Sequence, residues 1–292
     1  MPRRLPAPPA DAPLLAWLLH ILAPTSRTRV KELLRAGRVA VNGVAVTRHD
    51  HPVWPADTLT LLDAALPDTL GPAGVRVMYE DDAVIVVDKP AGLLTVATDA
   101  EKADTLFARL ADHLAARRAG QPFVVHRLDR DTSGLVLFAR TPAARDTLQA
   151  GWNAVTKVYL AVVDGAPPAA AGEVDNHLLE GKDLRVRAVP PGVPGAKRAV
   201  STYRTVKTGG QFGLVEVTLG TGRKHQIRVH LAGLGCPVVG DRVYGPRAEP
   251  RAAPAGRLGL HAWRLRFPHP AGRQVVACES PLPADLRRLV PA

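Results

Sequence analysis

The sequence predicts an α+β chain, in which a large domain with a mixed, largely antiparallel sheet follows a small N-terminal α/β unit. Three observations predict this. Strand-like apolar runs recur at 135–139, 158–163, 213–219, 226–231 and 262–267, with few helical stretches between them. Near the N-terminus, Asn42-Gly43 lies between Val39-Ala40-Val41 and Val44-Ala45-Val46, a strong hairpin signal because both turn residues tolerate positive φ. The stretch Ala64 to Gly74 holds two prolines and two glycines and reads as a linker.

Taken in order, residues 1–13 are proline-rich and expected to form a disordered tail. The small unit is expected over 14–63. Leu14, Leu15, Leu18, Leu19 and Leu22 recur at helical spacing. Thr25 or Ser26 can cap a second helix that turns Val30, Leu33 and Leu34 inward and stops at Gly37. After the hairpin, a turn at Pro55-Ala56-Asp57 leads to a strand from Thr58 to Leu62. The linker takes 64–74 and the second domain 75–292. That domain opens with a strand from Val75 to Tyr79, an acidic turn at Glu80-Asp81-Asp82 and a strand from Ala83 to Val87. Helices are expected from Ala103 to Arg117 and from Ala143 to Trp152, and Phe123-Val124-Val125 reads as a strand. Pro190 to Gly195 is expected to be an exposed loop, and no internal repeat is visible.

A chain of 292 residues that is 46% hydrophobic has ample length for a packed core. Lysine and arginine total 38 against 27 acids, a net charge of +11. Such a surplus fits a polyanionic partner, most simply nucleic acid, with an arginine-rich coding bias as the competing explanation. The clustering of charge argues against bias alone. From Lys182 to Lys207 there are seven basic residues and one acid, and from Arg223 to Arg273 ten basic residues and two acids. In the small unit Arg27, Arg29, Lys31, Arg35, Arg38 and Arg48 face only Glu32, which fits either a phosphate-binding helix face or a solvated one. Cys236 and Cys278 are far apart, so no disulfide framework or zinc ribbon is implied, and His225 and His230 lack an acid at zinc-site spacing. Arg3-Arg4 followed by Leu14 to Leu22 mimics a secretory signal. However, Asp11, several prolines and His20 interrupt it, and it falls short of the ~20 residues that cross a bilayer. The expected location is the cytoplasm, without membrane attachment, and the expected form is a monomer.

The chemistry concentrates in His126-Arg127-Leu128-Asp129-Arg130-Asp131-Thr132-Ser133-Gly134. A carboxylate, Asp129, sits among Arg127, Arg130 and His126 on a short connection between two apolar runs. A rigid, partly dry loop of this kind suits a catalytic acid or nucleophile; a surface turn with a local ion pair is the plainer alternative. Two more segments stand out. Lys157-Val158-Tyr159-Leu160-Ala161 is a strand carrying an aromatic with a polar tip. Thr221-Gly222-Arg223-Lys224-His225-Gln226-Ile227-Arg228-Val229-His230 runs on to Gly240-Asp241 and Tyr244-Gly245. Gly220 and Gly222 are not followed by Gly-Lys-Ser/Thr, which excludes a P-loop. The His126 segment does not match a kinase catalytic loop, and no Asp-Phe-Gly exists.

Together these segments resemble the RluA family of pseudouridine synthases. The matching motifs occur in order: Glu80-Asp81-Asp82, Asp88-Lys89-Pro90-Ala91-Gly92, His126 to Gly134, Lys157 to Ala161, Thr221 to His230, Leu260-His261-Ala262 and Phe267-Pro268-His269-Pro270. The resemblance covers about 75–285, and residues 14–63 resemble the small RNA-binding module of the fourth small-subunit ribosomal protein. It implies a catalytic domain of pseudouridine synthase type. In the implied reaction a uridine in RNA is detached from its ribose at nitrogen, turned over and rejoined through carbon, without cofactor or metal.

By motif position Asp129 is then the catalytic aspartate, attacking the ribose or the uracil ring, or taking a ribose proton. Arg228 would pair with Asp129, and a nearby guanidinium favours the ionised carboxylate. Tyr159 would stack on the extruded uracil and help deprotonate the reoriented base, with Ile227 closing the other side. Arg127 would fill the gap left by the flipped nucleotide, offsetting part of the cost of extrusion. Arg223 and Lys224 would contact flanking phosphates, and His126 and His225 would be structural. The implied partner is RNA, with large-subunit ribosomal RNA favoured over transfer RNA by the N-terminal module. Two rival readings are an RNA chaperone that kept the fold and lost the chemistry, and a metal-dependent nuclease using Asp129 and Asp131. The joint presence of Asp129, Tyr159 and Arg228 argues against the first. The second lacks a third acid nearby in sequence.

Overall fold

A computed structural model of the chain describes residues 3–35, 38–41, 44–46, 49, 51–55, 57–62, 75–97, 104–245 and 256–290. The chain divides into two compact units, Met1–Gly71 and Pro72–Ala292. The division falls within the stretch read as a linker. That stretch lies outside the described residues, as do Gly37, Arg48 and the Asn42-Gly43 turn.

In the first unit, α1 (Leu14–Ile21) and α2 (Arg27–Arg35) pack on a four-stranded sheet. Leucine spacing turns Leu14, Leu15 and Leu18 inward, and all three are buried. The Ser26 hydroxyl accepts from the Arg29 amide at 3.3 Å, capping α2, whose Val30 and Leu34 are buried one turn apart. The sheet holds β1 (Arg3–Leu5), β3 (Val39–Val41), β4 (Val44–Ala45) and β6 (Leu59–Leu61) in the order β1-β6-β3-β4. Val41 opposite Val44 closes the hairpin read from the sequence. A separate pair joins β2 (Ala12–Pro13) and β5 (Pro52–Val53).

The expectation of a disordered tail over 1–13 is corrected by β1 and β2. β1 pairs antiparallel with β6 and buries Leu5. Pro6, Pro8 and Pro9 follow β1, so their missing amides cost its ladder nothing.

The second unit is built on an eleven-stranded sheet. In spatial order come β13 (Val186–Val189), β12 (Ala171–Glu180), β14 (Lys197–Gly209), β15 (Phe212–Leu219), β11 (Thr156–Asp164), β16 (Leu260–Pro268), β10 (Ser133–Ala139), β8 (Val84–Lys89) and β7 (Arg76–Glu80). β9 (Phe123–Val124) pairs with β10, and β17 (Val275–Glu279) with β16. Among the described residues of this sheet, every strand pair is antiparallel except β10 with β16. The largely antiparallel α+β architecture is therefore the one the sequence predicts.

Alternate residues of β8 and β10 enter different cores. Ile85, Val87, Val136 and Phe138 pack on one face of the sheet, while Val84, Val86, Leu135 and Leu137 pack on the other. Burial on both faces explains why these strands read as unbroken apolar runs. On the first face lies α3 (Leu106–Ala116), capped by Thr105, whose hydroxyl accepts from the Ala108 amide; its Leu106, Leu110 and Leu114 recur every fourth residue and are buried. On the second lies α4 (Pro142–Ala150), capped by Thr141 with Pro142 in its first turn.

One strand prediction fails. Residues 226–231 form most of α5 (Gln226–Gly233). The alternation of Ile227, Val229 and Leu231 with polar residues has the period of a half-buried strand, but all six residues from Gln226 to Leu231 are buried. The polar members meet partners inside the protein rather than water, so the alternation carries no information about a solvent face. A short helix α6 (Ala284–Arg287) ends the described chain. Among the described residues no helix is long and apolar enough to cross a membrane.

Candidate active site

The loop between β9 and β10 carries Asp129, and its neighbours fix it from both sides. The Thr95 hydroxyl donates to the Leu128 carbonyl at 2.8 Å and accepts from the Leu128 amide at 3.1 Å. The Gly92 amide donates to the Arg130 carbonyl at 2.9 Å, and Arg130 Nε donates back to the Gly92 carbonyl at 3.1 Å. Lys89, fully buried, donates to the carbonyls of Leu93 at 2.7 Å, Arg130 at 2.9 Å and Pro90 at 3.0 Å. Burial pushes its ammonium down to about 7. After the loop, Gly134 has φ +111°, and a Cβ there would collide with the Ala262 backbone. Only glycine allows β10 to run this close beside β16. Ser133 and the fully buried His261, opposite each other in that parallel pair, share a hydrogen bond at 2.8 Å.

The segment Thr221 to His230 places its side chains through α5. His225 takes the left-handed conformation, φ 55°, immediately before the helix. Gln226 is buried and uses every polar atom. Its oxygen accepts from the Thr221 hydroxyl at 2.8 Å and the Arg223 amide at 3.0 Å; its nitrogen donates to the Val200 carbonyl and the Ser201 hydroxyl, both at 2.9 Å. This ties the loop to β14 and turns Ile227 and Arg228 toward the Asp129 loop.

A cavity of about 270 Å³ opens where these elements meet Tyr159 on β11. It brings together Arg127, Asp129, Tyr159, Arg223, Ile227 and Arg228, all expected at the site, and is also lined by His126, Trp152, Lys157, His225 and Gln226. Tyr159 and Ile227 are buried, whereas the Asp129 side chain retains 35% of its exposure and Arg127 is exposed. Lys224 does not line the cavity; its ammonium is paired with Glu180. Arg223 donates through Nε to the Arg198 carbonyl at 3.0 Å. In the other unit, Arg27 and Arg29 are exposed, Lys31 and Arg38 are half-buried, Arg29 pairs with Glu32, and Arg38 Nε donates to the Leu62 carbonyl.

The expected pairing of Arg228 with Asp129 is present as a loose ion pair without a hydrogen bond. Arg228 Nη1 approaches Asp129 Oδ2 only to 3.8 Å. Its hydrogen-bonding fork is taken by Asp241, through Nε at 2.7 Å and Nη2 at 2.8 Å. Asp241 is buried and also accepts from the amides of Val243 at 2.9 Å and Tyr244 at 3.0 Å. Burial pushes the Asp241 carboxyl up, but the two guanidinium hydrogen bonds and the amides outweigh it and hold it below the usual carboxylate range. The Tyr244 ring covers the guanidinium at 5.1 Å. Arg228 is thus locked by one carboxylate and turns a remaining nitrogen toward another.

His225 completes this wall, with Nε2 at 3.9 Å from Asp129 Oδ2 and Nδ1 at 2.9 Å from the Tyr244 hydroxyl. The Tyr244 oxygen accepts from the Val186 amide at 2.9 Å; with its own proton donated to Nδ1, the neutral ring would carry Nε2–H toward Asp129. Burial lowers the His225 pKa, with Asp129 opposing the shift. For Tyr159, burial and then the charge of Asp129 raise the phenol well above its ordinary value.

Sequence reasoning gave no role to Asp241, Tyr244, Thr95, Lys89 or Lys157. The available signal was a charged residue within an apolar strand for the two lysines, and Gly240-Asp241 within a matching motif for Asp241. Among the described residues no three His, Cys, Asp or Glu side chains converge as a metal site.

The histidines of this unit make a stability prediction. His126 Nε2 accepts from the Leu137 amide at 3.0 Å, and burial pushes the ring down to about 3. Burial pushes His230 down to about 4; its ring contacts the Ser201 hydroxyl at 3.0 Å and the Asn176 oxygen at 3.1 Å. Burial also lowers His261. Between these values and the ordinary ~6.5, the unfolded chain takes up protons that the folded chain refuses, so stability rises with pH across that window. Urea melts at pH 5 and pH 7.5 should give the lower midpoint at pH 5; an equal or higher midpoint there contradicts the neutral-ring assignment.

Comparison with known proteins places this geometry. Residues 83–233 match the family model for RNA pseudouridylate synthase. An uncharacterized RNA pseudouridine synthase of Bacillus subtilis, YlyB, is 35% identical over 91% of this chain and 88% of its own length. The ribosomal large subunit pseudouridine synthase D of Nitrosomonas europaea is 33% identical over 94% of this chain and 82% of its own length. Among solved structures, human RNA pseudouridylate synthase domain containing 4 superposes with a TM-score of 0.61 at 26% identity, covering 73% of this chain and 90% of its own.

Proposed function

This chain belongs to the RluA family of RNA pseudouridine synthases, and from that premise we propose that it isomerises uridines of large-subunit ribosomal RNA with Asp129 as the catalytic carboxylate. One observation carries the reading: a single cavity gathers Asp129, Arg228, Tyr159 and Ile227 with Arg127 at an exposed position. The relatives named for the ribosomal large subunit support the target.

In this reading the target uridine leaves its stack and enters the cavity. Extrusion costs a few kcal/mol, and the planar, exposed guanidinium of Arg127 offsets part of it by occupying the vacated space. Tyr159 and Ile227, both buried, close on the two faces of the base. Asp129 then acts on the nucleoside at the glycosidic bond. Arg228, which Asp241 prevents from collapsing onto Asp129, and the Nε2–H of His225 balance its charge without forming a hydrogen bond that would blunt it. The raised pKa of the Tyr159 phenol keeps it protonated at neutral pH. In this form Tyr159 offers a stacking surface and a hydrogen-bond donor, and its expected part in deprotonating the reoriented base begins with loss of the phenolic proton.

The target is tested by mapping pseudouridines in the RNA of a strain lacking the gene. Loss of one or more sites from large-subunit ribosomal RNA is expected; loss confined to transfer RNA overturns that target. For the first unit, the proposal is that Arg27, Arg29, Lys31 and Arg38 bind phosphates. Deleting residues 1–63 should weaken RNA binding and flatten its dependence on salt, by about 0.7–0.9 in log–log slope for each phosphate that is no longer neutralised. An unchanged slope counts against it.

A further inference from the structure

Lys157 is 6% exposed, yet it lines the cavity. The other buried lysine among the described residues of this unit, Lys89, is saturated by three carbonyls. Lys157 has no such set. Among the described residues its ammonium has no carboxylate within ion-pair distance and no hydrogen-bond acceptor; its contact is the Trp152 ring, 5.2 Å from centroid to Nζ. The indole is held in turn by the His126 ring at 4.8 Å. The ammonium keeps contact with the cavity, and a cation–π contact leaves its N–H groups open to a further acceptor. Of the other cations lining the cavity, Arg228 is paired with Asp241, whereas Arg127 and Arg223 have no carboxylate partner among the described residues, and both are exposed.

Lys157 is two residues from Tyr159 on β11, so the two side chains leave the same face of the strand. The cavity therefore carries Asp129 and its cations beside Tyr159 and, farther along β11, an open ammonium against an indole. A nucleotide entering with its base at Tyr159 brings an anion of its own. We propose that Lys157, backed by Trp152, is the subsite for a backbone phosphate of the extruded nucleotide. This rests on the reading of the cavity as the site of uridine isomerisation. The phosphate supplies the counter-charge that the folded protein lacks, so binding and correct placement of the nucleotide are coupled at one residue.

The test uses the full chain and an unmodified transcript of the host's large-subunit ribosomal RNA. Lys157→Met should weaken binding by roughly tenfold, the worth of a charge-assisted hydrogen bond. It should also reduce the slope of log affinity against log salt by about 0.7–0.9, the signature of one phosphate contact. Lys157→Arg should restore the slope. Without RNA, Lys157→Met should melt no lower than the natural protein, because it removes a charge with no carboxylate partner and keeps the length of the buried stem.

An unchanged slope overturns the proposal, including the case of weaker binding through a uracil carbonyl. So does a lowered melting temperature shared by Lys157→Met and Lys157→Gln, which marks a structural lysine. Tritium release from C5-labelled uridine by the natural protein is measured in parallel. Release with an unchanged slope sinks the phosphate subsite alone; a changed slope without release sinks the isomerase reading and with it the extruded nucleotide, leaving Lys157 as an RNA phosphate contact only.

Discussion

Asp129→Asn should lower single-turnover pseudouridine formation by at least about 10³-fold while leaving RNA affinity nearly unchanged. The amide is the same size as the carboxylate and keeps one acceptor oxygen. The Asp129 loop is fixed by Thr95, Gly92 and Lys89 acting on the backbone of residues 128 and 130, and none of those contacts involves the Asp129 side chain. The substitution therefore removes charge and nucleophilicity without removing the loop. The resulting gap between Nη1 of Arg228 and an uncharged amide adds a smaller penalty. Tritium release from C5-labelled uridine, together with filter binding of the same RNA, separates the two quantities. Release at the natural rate would remove Asp129 from the chemistry, and a parallel collapse of binding would assign it to RNA recognition instead.

Asp241→Ala should be the most damaging change outside the reacting group. It leaves the Arg228 guanidinium, 8% exposed, without its two-point partner. Stranding one member of a buried pair costs about 3–5 kcal/mol, and access to the cavity favours the lower end. For a domain of this size that corresponds to a fall of roughly 10 °C in Tm. Activity should fall further than stability explains. The freed fork can turn onto Asp129 and hold the carboxylate in a close pair in place of the 3.8 Å approach. Kinetics measured well below the lowered Tm should show a reduced kcat with KM little changed. A Tm within a degree or two of the natural protein, with normal kcat, would show that Arg228 does not need Asp241. The stabilising share of this pair has a defined pH sense. Asp241 is depressed in the folded chain, so its contribution is present above the ordinary carboxylate pKa and is lost as pH falls through the folded value.

Much of this molecule was legible in the sequence, for identifiable reasons. β8 and β10 are buried on both faces, so continuous apolar runs gave them directly. α3 and α4 carry Thr105 and Thr141 as caps ahead of regular spacing. The small hairpin announced itself through Asn42-Gly43, and its strands pair across those positions. Elements at the exposed end of the sheet were not legible. β12 and β14 are long antiparallel strands in which small, polar and charged residues outnumber large apolar ones, so no apolar run marks them. The strand reading fails at α5 because its first six residues are all buried, which leaves no solvent-facing polar stripe to set a helical period.

The site followed the same division. Asp129, Tyr159, Ile227 and Arg228 were singled out because long ordered motifs carry them, and the fold gathers them at one cavity. The lock on Arg228 was not found, because Asp241 reaches it across thirteen positions and a turn that sequence spacing does not reveal. The absence of carboxylate pairing at Lys157 was equally invisible, since a lone lysine in a strand reads as solvent-facing until its burial is known.

The most direct measurement is a crystal structure of Asp129→Asn bound to its RNA. The target uridine is expected outside its stack, between Tyr159 and Ile227, with Arg127 in the vacated space and the nucleoside within about 3.5 Å of the side chain at position 129. A uridine still stacked in its helix, or lodged away from that side chain, would contradict the account.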